Sequence, residues 1–367
     1  MKTFFQSQET FTLQYPLEQI APLSDILFLD IETTGFSAKT SYLYLIGCVY
    51  YQDSVFHTIQ WLAQKTDEEV DILKAFFDFA GSFSYLIHFN GSTFDLPFIL
   101  QKCTQYGLNH TFAHFTCIDL YKQISACKSI LKLPNNKQKT LENFLGIDRK
   151  DRFTGGELIA FYHDYVKLPN EQAQAILLLH NHDDIMGMLH ILPLLAYHDL
   201  IVKEVHTRKV QANYYRDLNG CQRMELLMWL TLPASLPRPV SAAANNCYFS
   251  ANGMEATLKV PVLEEEMKYF YSNYKDYYYL PEEDVALHKS VASFVDSEHR
   301  IQATAATCYT RKYSQYLPQW GLFREPFFKR DYKSKEFFFE LTEEFKHDRA
   351  AFTDYANHVL AMIASIY

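Results

Sequence analysis

The sequence has few of the features that mark proteins outside the ordinary globular class. It has no low-complexity tract, and it is 48% hydrophobic and 21% charged. Its seven cysteines are odd in number and contain no CxxC pair, which indicates a reduced, cytoplasmic setting. The first residues contain no apolar core long enough for a signal peptide. The most apolar long run, 185–202, includes two histidines, a proline and an aspartate, so we expect no membrane span.

An excess of positive charge is also missing. The net charge of −9 argues against a protein that grips nucleic acid by bulk positive charge, but not against a local basic groove. Residues 1–200 carry 14 Lys and Arg against 22 Asp and Glu, whereas residues 201–367 carry 20 against 21. Basic residues of the second half are therefore the better candidates for contacts with a polyanion. A chain of 367 residues is long enough for two domains.

A short stretch near the start, residues 26–36 (ILFLDIETTGF), carries the first chemical signal. Its apolar run ends at Thr-Gly, which is typical of a buried strand followed by a turn. Because side chains alternate along a strand, Asp30 and Glu32 point to the same side, about 7 Å apart. Bare carboxylates are costly to bury, and Mg²⁺ or Mn²⁺ would neutralise them. The alternative is that two acids lie where a strand reaches the surface.

Further elements follow in a regular order. Apolar segments at 42–51 and 54–62 predict two strands that form an antiparallel meander with the first. A later strand runs through Phe89, is broken at Asn90-Gly91, and leads into a helix near Asp95. Asp95 is therefore either a plain helix N-cap or an outer metal ligand, and the two roles are compatible.

A long helix starts at Glu171. His180 and Asp184 are four residues apart, so they share one face of this helix. Asp183 is rotated by about 100° from that face, so we choose Asp184 of the two adjacent acids. Taken without context, His180 is an ordinary surface or core histidine and the acids are a solvated pair.

Three motifs in this order resemble the DEDD superfamily of 3′–5′ exonucleases. They are Asp30-Ile-Glu32-Thr-Thr-Gly35 on a strand, His88-Phe-Asn90-Gly-Ser-Thr-Phe94-Asp95 at a helix start, and His180-Asn181-His-Asp-Asp184 in a late helix. More narrowly, the chain is similar to bacterial ribonuclease-H-like domain proteins regarded as predicted exonucleases. These share a segment like Leu141-Glu142-x-x-Leu145-Gly146-Ile147.

The resemblance implies an α/β fold, a ribonuclease-H-like mixed sheet flanked by helices. It places this exonuclease domain at residues 24–204, after an N-terminal extension at 1–23. Residues 205–367 would form a second, mostly β accessory domain, because strand-like runs there alternate with Pro, Asn and Gly. Within that domain we expect helices at 282–295 and 343–366.

The resemblance also implies a set of catalytic residues. Asp30, Glu32, Asp95 and Asp184 would hold two Mg²⁺ or Mn²⁺ ions. His180 would be the general base. The superfamily usually has a His five residues before the last Asp, or a Tyr four before it, whereas this chain has a His at the Tyr spacing.

The same resemblance implies where a nucleic acid would lie. Superfamily members wedge the terminal nucleotide near the Thr-Gly turn. The expected contacts are Thr33, Thr34, Gly35, Phe36, Asn90 and Phe94. For Phe36 and Phe94 the alternative is packing in the core.

In the second half, basic residues are interleaved with aromatic ones, which suits phosphate contact and base stacking. They are Arg311, Lys312, Arg324, Lys329, Arg330, Lys333 and Lys335. The alternative is a small aromatic β core with an ordinary charged surface.

The expected function is a metal-dependent 3′–5′ exonuclease that acts on the 3′ end of a single strand or duplex of DNA or RNA. One alternative is a structure-specific endonuclease with the same metals. Another is a non-catalytic nucleic-acid-binding protein on a nuclease fold. No protein partner can be inferred.

Overall fold

The computed structural model describes residues 1–365. The chain divides into two compact units, Met1–His198 and Asp199–Tyr367. This division falls at residue 198, whereas the domain boundary is predicted at 204. Each unit has its own sheets and core.

A mixed sheet forms the centre of the first unit. Its strands are β1 (Lys2–Gln8), β2 (Ile26–Thr33), β3 (Leu43–Gln52), β4 (Val55–Leu62), β5 (Tyr85–His88) and β6 (Thr116–Asp119). They lie in the order β1-β4-β3-β2-β5-β6. Neighbours from β1 to β2 are antiparallel, and β5 and β6 continue the sheet in parallel with β2. The predicted meander is therefore present as β2, β3 and β4.

Helices flank this sheet. They are α1 (Glu69–Ala80), α2 (Asp95–Gln105), α3 (Leu120–Ser125), α4 (Lys128–Leu131), α5 (Gln138–Leu145), α6 (Gly155–Lys167) and α7 (Glu171–Ile191). A further helix, α8 (Leu195–Val202), begins in the first unit and ends in the second. The mixed sheet with flanking helices confirms the predicted fold class. Tyr44 of β3 stacks on Tyr162 of α6 with ring centroids 4.2 Å apart, which ties a helix to the sheet.

Residues 1–23, expected to be an extension, contribute a strand to this sheet. Each residue of β1 from Lys2 to Gln8 pairs with β4, from Leu62 back to Phe56. The sequence KTFFQSQ has a short apolar pair and no long alternation, so its pattern does not reveal an edge strand.

Helix α7 packs on β2 and β3 and carries the third motif to the sheet. It ends at Ile191, followed by a 3₁₀ turn at Leu192–Leu194, because Pro193 has no N–H to continue the helix. The segment Glu171–Val202 meets the length and composition of a membrane span. However, 78% of its most apolar window is buried inside the protein, as in a core helix.

The second unit is built mainly from antiparallel strands, as predicted. Its elements are β7 (His206–Arg216), β8 (Gln222–Ala244), β9 (Cys247–Phe270), β10 (Tyr277–Leu280), β11 (Val285–His288), α9 (Lys289–Ala292), β12 (Ile301–Gln302), β13 (Tyr309–Gln319), β14 (Phe327–Phe328), β15 (Phe337–Glu340), α10 (Glu343–His347) and α11 (Arg349–Ser365). One sheet has the order β14-β15-β13-β9-β8-β7, and the other has the order β11-β10-β12.

The long hairpin of β8 and β9 closes at Asn245 and Asn246. Their φ angles are 47° and 63°, which fits a two-residue turn that asparagine tolerates better than most residues. The helix predicted at 282–295 is wrong, because Val285–His288 pairs with β10 and only Lys289–Ala292 is helical. The helix predicted at 343–366 is present over the described residues but is interrupted at Asp348.

Candidate metal centre

Two acids at the end of β2 face helix α7. Asp30 and Glu32 lie on the same face of the sheet, as strand alternation requires. Asn181 of α7 donates a hydrogen bond of 2.9 Å from Nδ2 to Asp30 Oδ2. Among the described residues, the Glu32 carboxylate makes no hydrogen bond and has one ion-pair contact, 3.7 Å to His180 Nε2. Glu32 is only 9% exposed, so its charge has little compensation from the protein.

The contact between Asn181 and Asp30 depends on a glycine. Gly47 lies opposite Asp30 on the neighbouring strand, and a Cβ at position 47 would be 1.9 Å from Asn181 Oδ1. Gln60 Nε2 donates to that same oxygen over 2.8 Å, which fixes the orientation of the Asn181 amide. Glycine at 47 therefore provides the space through which α7 reaches the end of β2.

Asp95 joins this region from the start of α2. The residue before the helix is Phe94, and no side chain caps it, so the plain N-cap reading of Asp95 is wrong. The buried carboxylate instead accepts a 3.3 Å hydrogen bond from the backbone N–H of Ile31. Burial raises the pKa of Asp95 to about 7, and the Asp119 and Asp184 carboxylates add to the shift against two backbone hydrogen bonds that lower it.

Helix α7 brings His180 and Asp184 to Glu32. His180 Nε2 lies 3.3 Å from Asp184 Oδ2 and 3.7 Å from Glu32 Oε1. One possible ligand atom from each of the three residues lies within 4.8 Å of the others. Asp183 points elsewhere and accepts hydrogen bonds from the backbone N–H groups of Lys150 and Asp151. The two adjacent acids therefore separate, one toward the cluster and one toward a supporting loop.

That loop, between α5 and α6, places Asp151 behind His180. The Asp151 carboxylate accepts from His180 Nδ1 at 2.7 Å, and also from Lys139 Nζ at 3.3 Å and the Phe153 N–H at 3.0 Å. Burial alone would raise the pKa of Asp151, but these hydrogen bonds and the His180 charge lower it. Since an ionised carboxylate only accepts, Nδ1 carries the proton and Nε2 faces the other acids.

The same loop inserts a cation beside Asp184. Arg149 Nη1 donates to Asp184 Oδ1 at 2.5 Å, and Arg149 Nη2 donates to Glu142 Oε1 at 2.7 Å. Glu142 is 1% exposed and receives the guanidinium through Nε as well. A Cβ at Gly187 would lie 2.1 Å from Glu142 Oε1, so glycine there leaves room for this ion pair.

The acids influence one another strongly. Burial, followed by the charges of Asp184, Asp95 and Glu32, raises the pKa of Asp30 well above its usual range, against the Asn181 hydrogen bond. Burial, followed by the charges of Asp184, Asp95 and Asp151, raises the pKa of Glu32. Among the described residues, Arg149 is the permanently charged cation paired with this group, and the imidazole of His180 is the other nitrogen group that contacts it. Clustered oxygen donors with so little compensation fit a divalent cation.

The turn after β2, expected to touch a nucleic acid, is held by its own hydrogen bonds. The Thr33 hydroxyl donates to the carbonyl oxygen of Gly35 at 2.9 Å. The Thr34 hydroxyl accepts from the Tyr42 N–H at 2.8 Å. Phe36 projects from this turn and is 95% exposed, so core packing is excluded for its ring.

Phe94 and Asn90 lie on the segment before α2. The Phe94 ring meets the Phe36 ring edge to face at 6.1 Å and contacts Phe98 at 5.5 Å, so it lies between the exposed turn and the core. Asn90 has a φ of 62°, and its backbone N–H donates to Asp119 Oδ1 at 2.9 Å. The two aromatic rings therefore form one exposed edge beside the turn.

Four residues of the centre were not assigned a role from the sequence. Asn181 lies inside the third motif and Asp119 ends a strand parallel to β5, so both had a positional signal. Arg149 and Asp151 lie in a loop without periodicity, and nothing in their spacing predicts contact with α7. Asp183 anchors the loop by accepting a backbone hydrogen bond from it. Helical periodicity places Asp183 away from the face that carries His180 and Asp184.

Three of the seven basic residues noted in the second unit are paired with acids within it. Arg311, Lys312 and Arg330 each pair with acids, namely Glu266 and Asp284, Glu340, and Glu265 and Glu336 respectively. Arg324 and Lys329 lie over aromatic rings of the same unit. The unit therefore offers less free positive charge than its composition indicates.

Comparison with known families bears on the first unit. Residues 27–196 match the model of RNase_H_2, a family of the RNase_H superfamily. This part of the chain is a ribonuclease-H-like domain. The match confirms the ribonuclease-H-like part of the resemblance based on the three motifs. No curated protein matches the sequence.

Several solved structures align with parts of this chain. The family B DNA polymerase of the archaeon Pyrobaculum calidifontis is 11% identical with a TM-score of 0.38, and the alignment covers 72% of this chain and 39% of the polymerase. The zinc-bound form of the Escherichia coli ExoI–ssDNA complex is 12% identical with a TM-score of 0.30, covering 57% of this chain and 55% of the exonuclease. The chain therefore spans only part of each.

Proposed function

We propose that this protein is a metal-dependent 3′–5′ exonuclease that hydrolyses phosphodiester bonds of DNA or RNA. The observation that carries the proposal is the convergence of Asp30, Glu32, Asp95 and Asp184 from β2, α2 and α7. Buried carboxylates that repel one another need protons or cations, and a phosphodiester hydrolase needs cations at the same place.

These four carboxylates would hold two Mg²⁺ or Mn²⁺ ions. Bound there, the ions would activate the attacking water and offset the charge of the phosphate. The surrounding residues keep the carboxylates in position: Asn181 orients Asp30, and Arg149 holds one oxygen of Asp184. This support favours a site ready for its cations, since ligand orientation is set by neighbouring hydrogen bonds.

The substrate end would lie on the exposed edge beside the β2 turn. The open face of Phe36, backed by Phe94, suits stacking against a terminal base, which is tolerant of sequence. Either a single strand or a duplex 3′ end satisfies this contact, so the preferred nucleic acid is left to experiment.

The proposal is tested with end-labelled DNA and RNA strands in the presence of Mg²⁺ or Mn²⁺. We expect a 5′-labelled strand to shorten in single-nucleotide steps and a 3′-labelled strand to release mononucleotide at once. Asp30→Asn should lower the rate by at least about 100-fold, because it removes charge at the centre of the cluster. Asp78→Asn is the matched control, since Asp78 is an exposed acid of the same unit on α1.

The product pattern separates the alternatives. Discrete internal fragments would indicate a structure-specific endonuclease that uses the same site, and would contradict the exonuclease. Binding of nucleic acid without metal-dependent cleavage of any substrate would favour a non-catalytic binding protein. Full activity in Asp30→Asn would contradict the proposed centre itself.

A further inference from the structure

His180 lies among three carboxylates, and its two ring nitrogens have different partners. Nδ1 contacts Asp151 Oδ2 at 2.7 Å. Nε2 faces Asp184 Oδ2 at 3.3 Å and Glu32 Oε1 at 3.7 Å. His180 is only 6% exposed, so its ring has little freedom to leave this position.

The Asp151 side fixes which nitrogen can act. Lys139 and the Phe153 N–H hold the Asp151 carboxylate in place, and that carboxylate accepts the proton of Nδ1. In the neutral ring the lone pair is therefore on Nε2, directed at the gap between Glu32 and Asp184. A carboxylate behind a histidine is the arrangement that orients imidazole ligands of metals.

We propose that His180 Nε2 is itself a ligand of the divalent cation, together with Glu32 and Asp184, rather than the base that takes a proton from water. The inference rests on the proposed function only in placing a cation at this centre. Bonds of about 2.1 Å separate adjacent ligand atoms by roughly 3.0 to 3.4 Å, close to the 3.3 and 3.7 Å between Nε2 and the two carboxylate oxygens. A lone pair bound to the cation is not free to accept a proton.

The position of Arg149 supports the same geometry. It occupies Asp184 Oδ1, so Oδ2, the oxygen nearest Nε2, is the one left for a cation. The four-residue spacing between His180 and Asp184 gives this closeness, because residues four apart stack on one helical face.

Pulsed electron paramagnetic resonance of the full chain loaded with Mn²⁺ tests the assignment directly. We expect electron spin echo modulation from a coordinated ¹⁴N in the wild type, and its loss in His180→Gln. His182→Gln is the matched control, because His182 is two residues away and contacts Gln8 and Asp183 instead. The control should keep the nitrogen signal.

A second variant keeps the test sound if His180→Gln folds poorly. Asp151→Asn preserves shape but no longer requires the proton on Nδ1, and it should weaken Mn²⁺ binding by about 10- to 100-fold. Bound Mn²⁺ without ¹⁴N modulation, a signal that survives in His180→Gln, or no Mn²⁺ binding at all would overturn the proposal. Cleavage without the nitrogen signal would retain the nuclease function and reject this ligand. The nitrogen signal without cleavage would retain His180 as a ligand and reject the nuclease function.

Discussion

The acids at the end of β2 in the first unit and the paired acids of the second unit have opposite surroundings. In the first unit, burial and neighbouring carboxylates raise the pKa of Asp30 and Glu32. In the second unit, burial would raise the pKa of Glu340, but hydrogen bonds from Lys312 and Ser314 lower it below its usual value. Asp217 is held low in the same way, first by its hydrogen bond from Arg223.

This difference shows where chemistry is to be expected. The charge of an acid with a basic partner is already neutralised. Such an acid needs no role beyond that of an ordinary ion pair. Acids that lie close together with few basic partners keep negative charge that the protein does not compensate. Composition alone would have pointed to the second unit, which has the larger share of Lys and Arg, for contacts with a polyanion. The uncompensated negative charge, however, lies in the first unit.

The largest expected effect comes from the cation inside the first unit's cluster. Arg149→Gln leaves Glu142 buried without its charged partner, so we expect a loss of about 3–5 kcal/mol in the free energy of unfolding. Urea denaturation of the two proteins measures it. The double variant Glu142→Gln with Arg149→Gln should recover part of the loss, because position 142 then no longer carries a buried charge without a partner. A loss below about 1 kcal/mol in the single variant would place this pair with the surface pairs of the second unit.

A pH series measures how strongly burial, together with the neighbouring acids, disfavours the charged form of Asp95. The pKa of Asp95 is raised from 3.8 to about 7, so the folded state binds this proton more tightly than the unfolded state. Its stabilising effect is complete below about pH 4 and is lost as pH rises through about 7. Asp95→Asn cannot titrate but can still accept from the Ile31 N–H.

With chelator present, the unfolding free energy of the wild type should therefore fall relative to Asp95→Asn between pH 4 and 8, by up to about 4 kcal/mol. Mg²⁺ added at pH 8 should close the gap, since a cation replaces the proton. A difference that stays flat with pH would contradict the crowding of Asp95 with its neighbours.

The smallest effect is expected in the second unit. Glu340→Gln removes a charge that the exposed Lys312 already neutralises, and the Gln oxygen can still accept from Ser314, so we expect a loss of about 0.2–1 kcal/mol in stability. Cleavage and Mn²⁺ affinity should not change. If a variant of this pair impaired cleavage, the second unit would contribute to the reaction. The difference between the two groups of acids would then not mark where the chemistry occurs.

Much of the first unit could be predicted from local patterns. The apolar run before Asp30 predicts a strand, and alternation along it places Glu32 on the same face. The helical period separates Asp184 from Asp183, and only Asp184 lies beside Glu32 and His180. These regularities are short-range, so they can be recognised in the sequence without knowledge of the tertiary structure.

Other parts depend on contacts between distant segments. Asp151 and Arg149 lie in an irregular loop whose path is set by backbone hydrogen bonds to Asp183, and no periodicity encodes it. The predicted helix at 282–295 is replaced by β11 because pairing with β10 outweighs the helical signal of its acidic start. The role of Gly47 likewise becomes visible only once Asn181 is placed against it.

The central claim is that the acids of the first unit converge in order to bind divalent cations. Counting Mn²⁺ bound to the full chain, by the loss of the free-ion resonance signal, tests it most directly. We predict two ions bound to the wild type and to Asp78→Asn, and neither bound at the same concentration to Asp30→Asn. A wild type that binds no Mn²⁺, or an Asp30→Asn variant that binds as the wild type does, would contradict the claim.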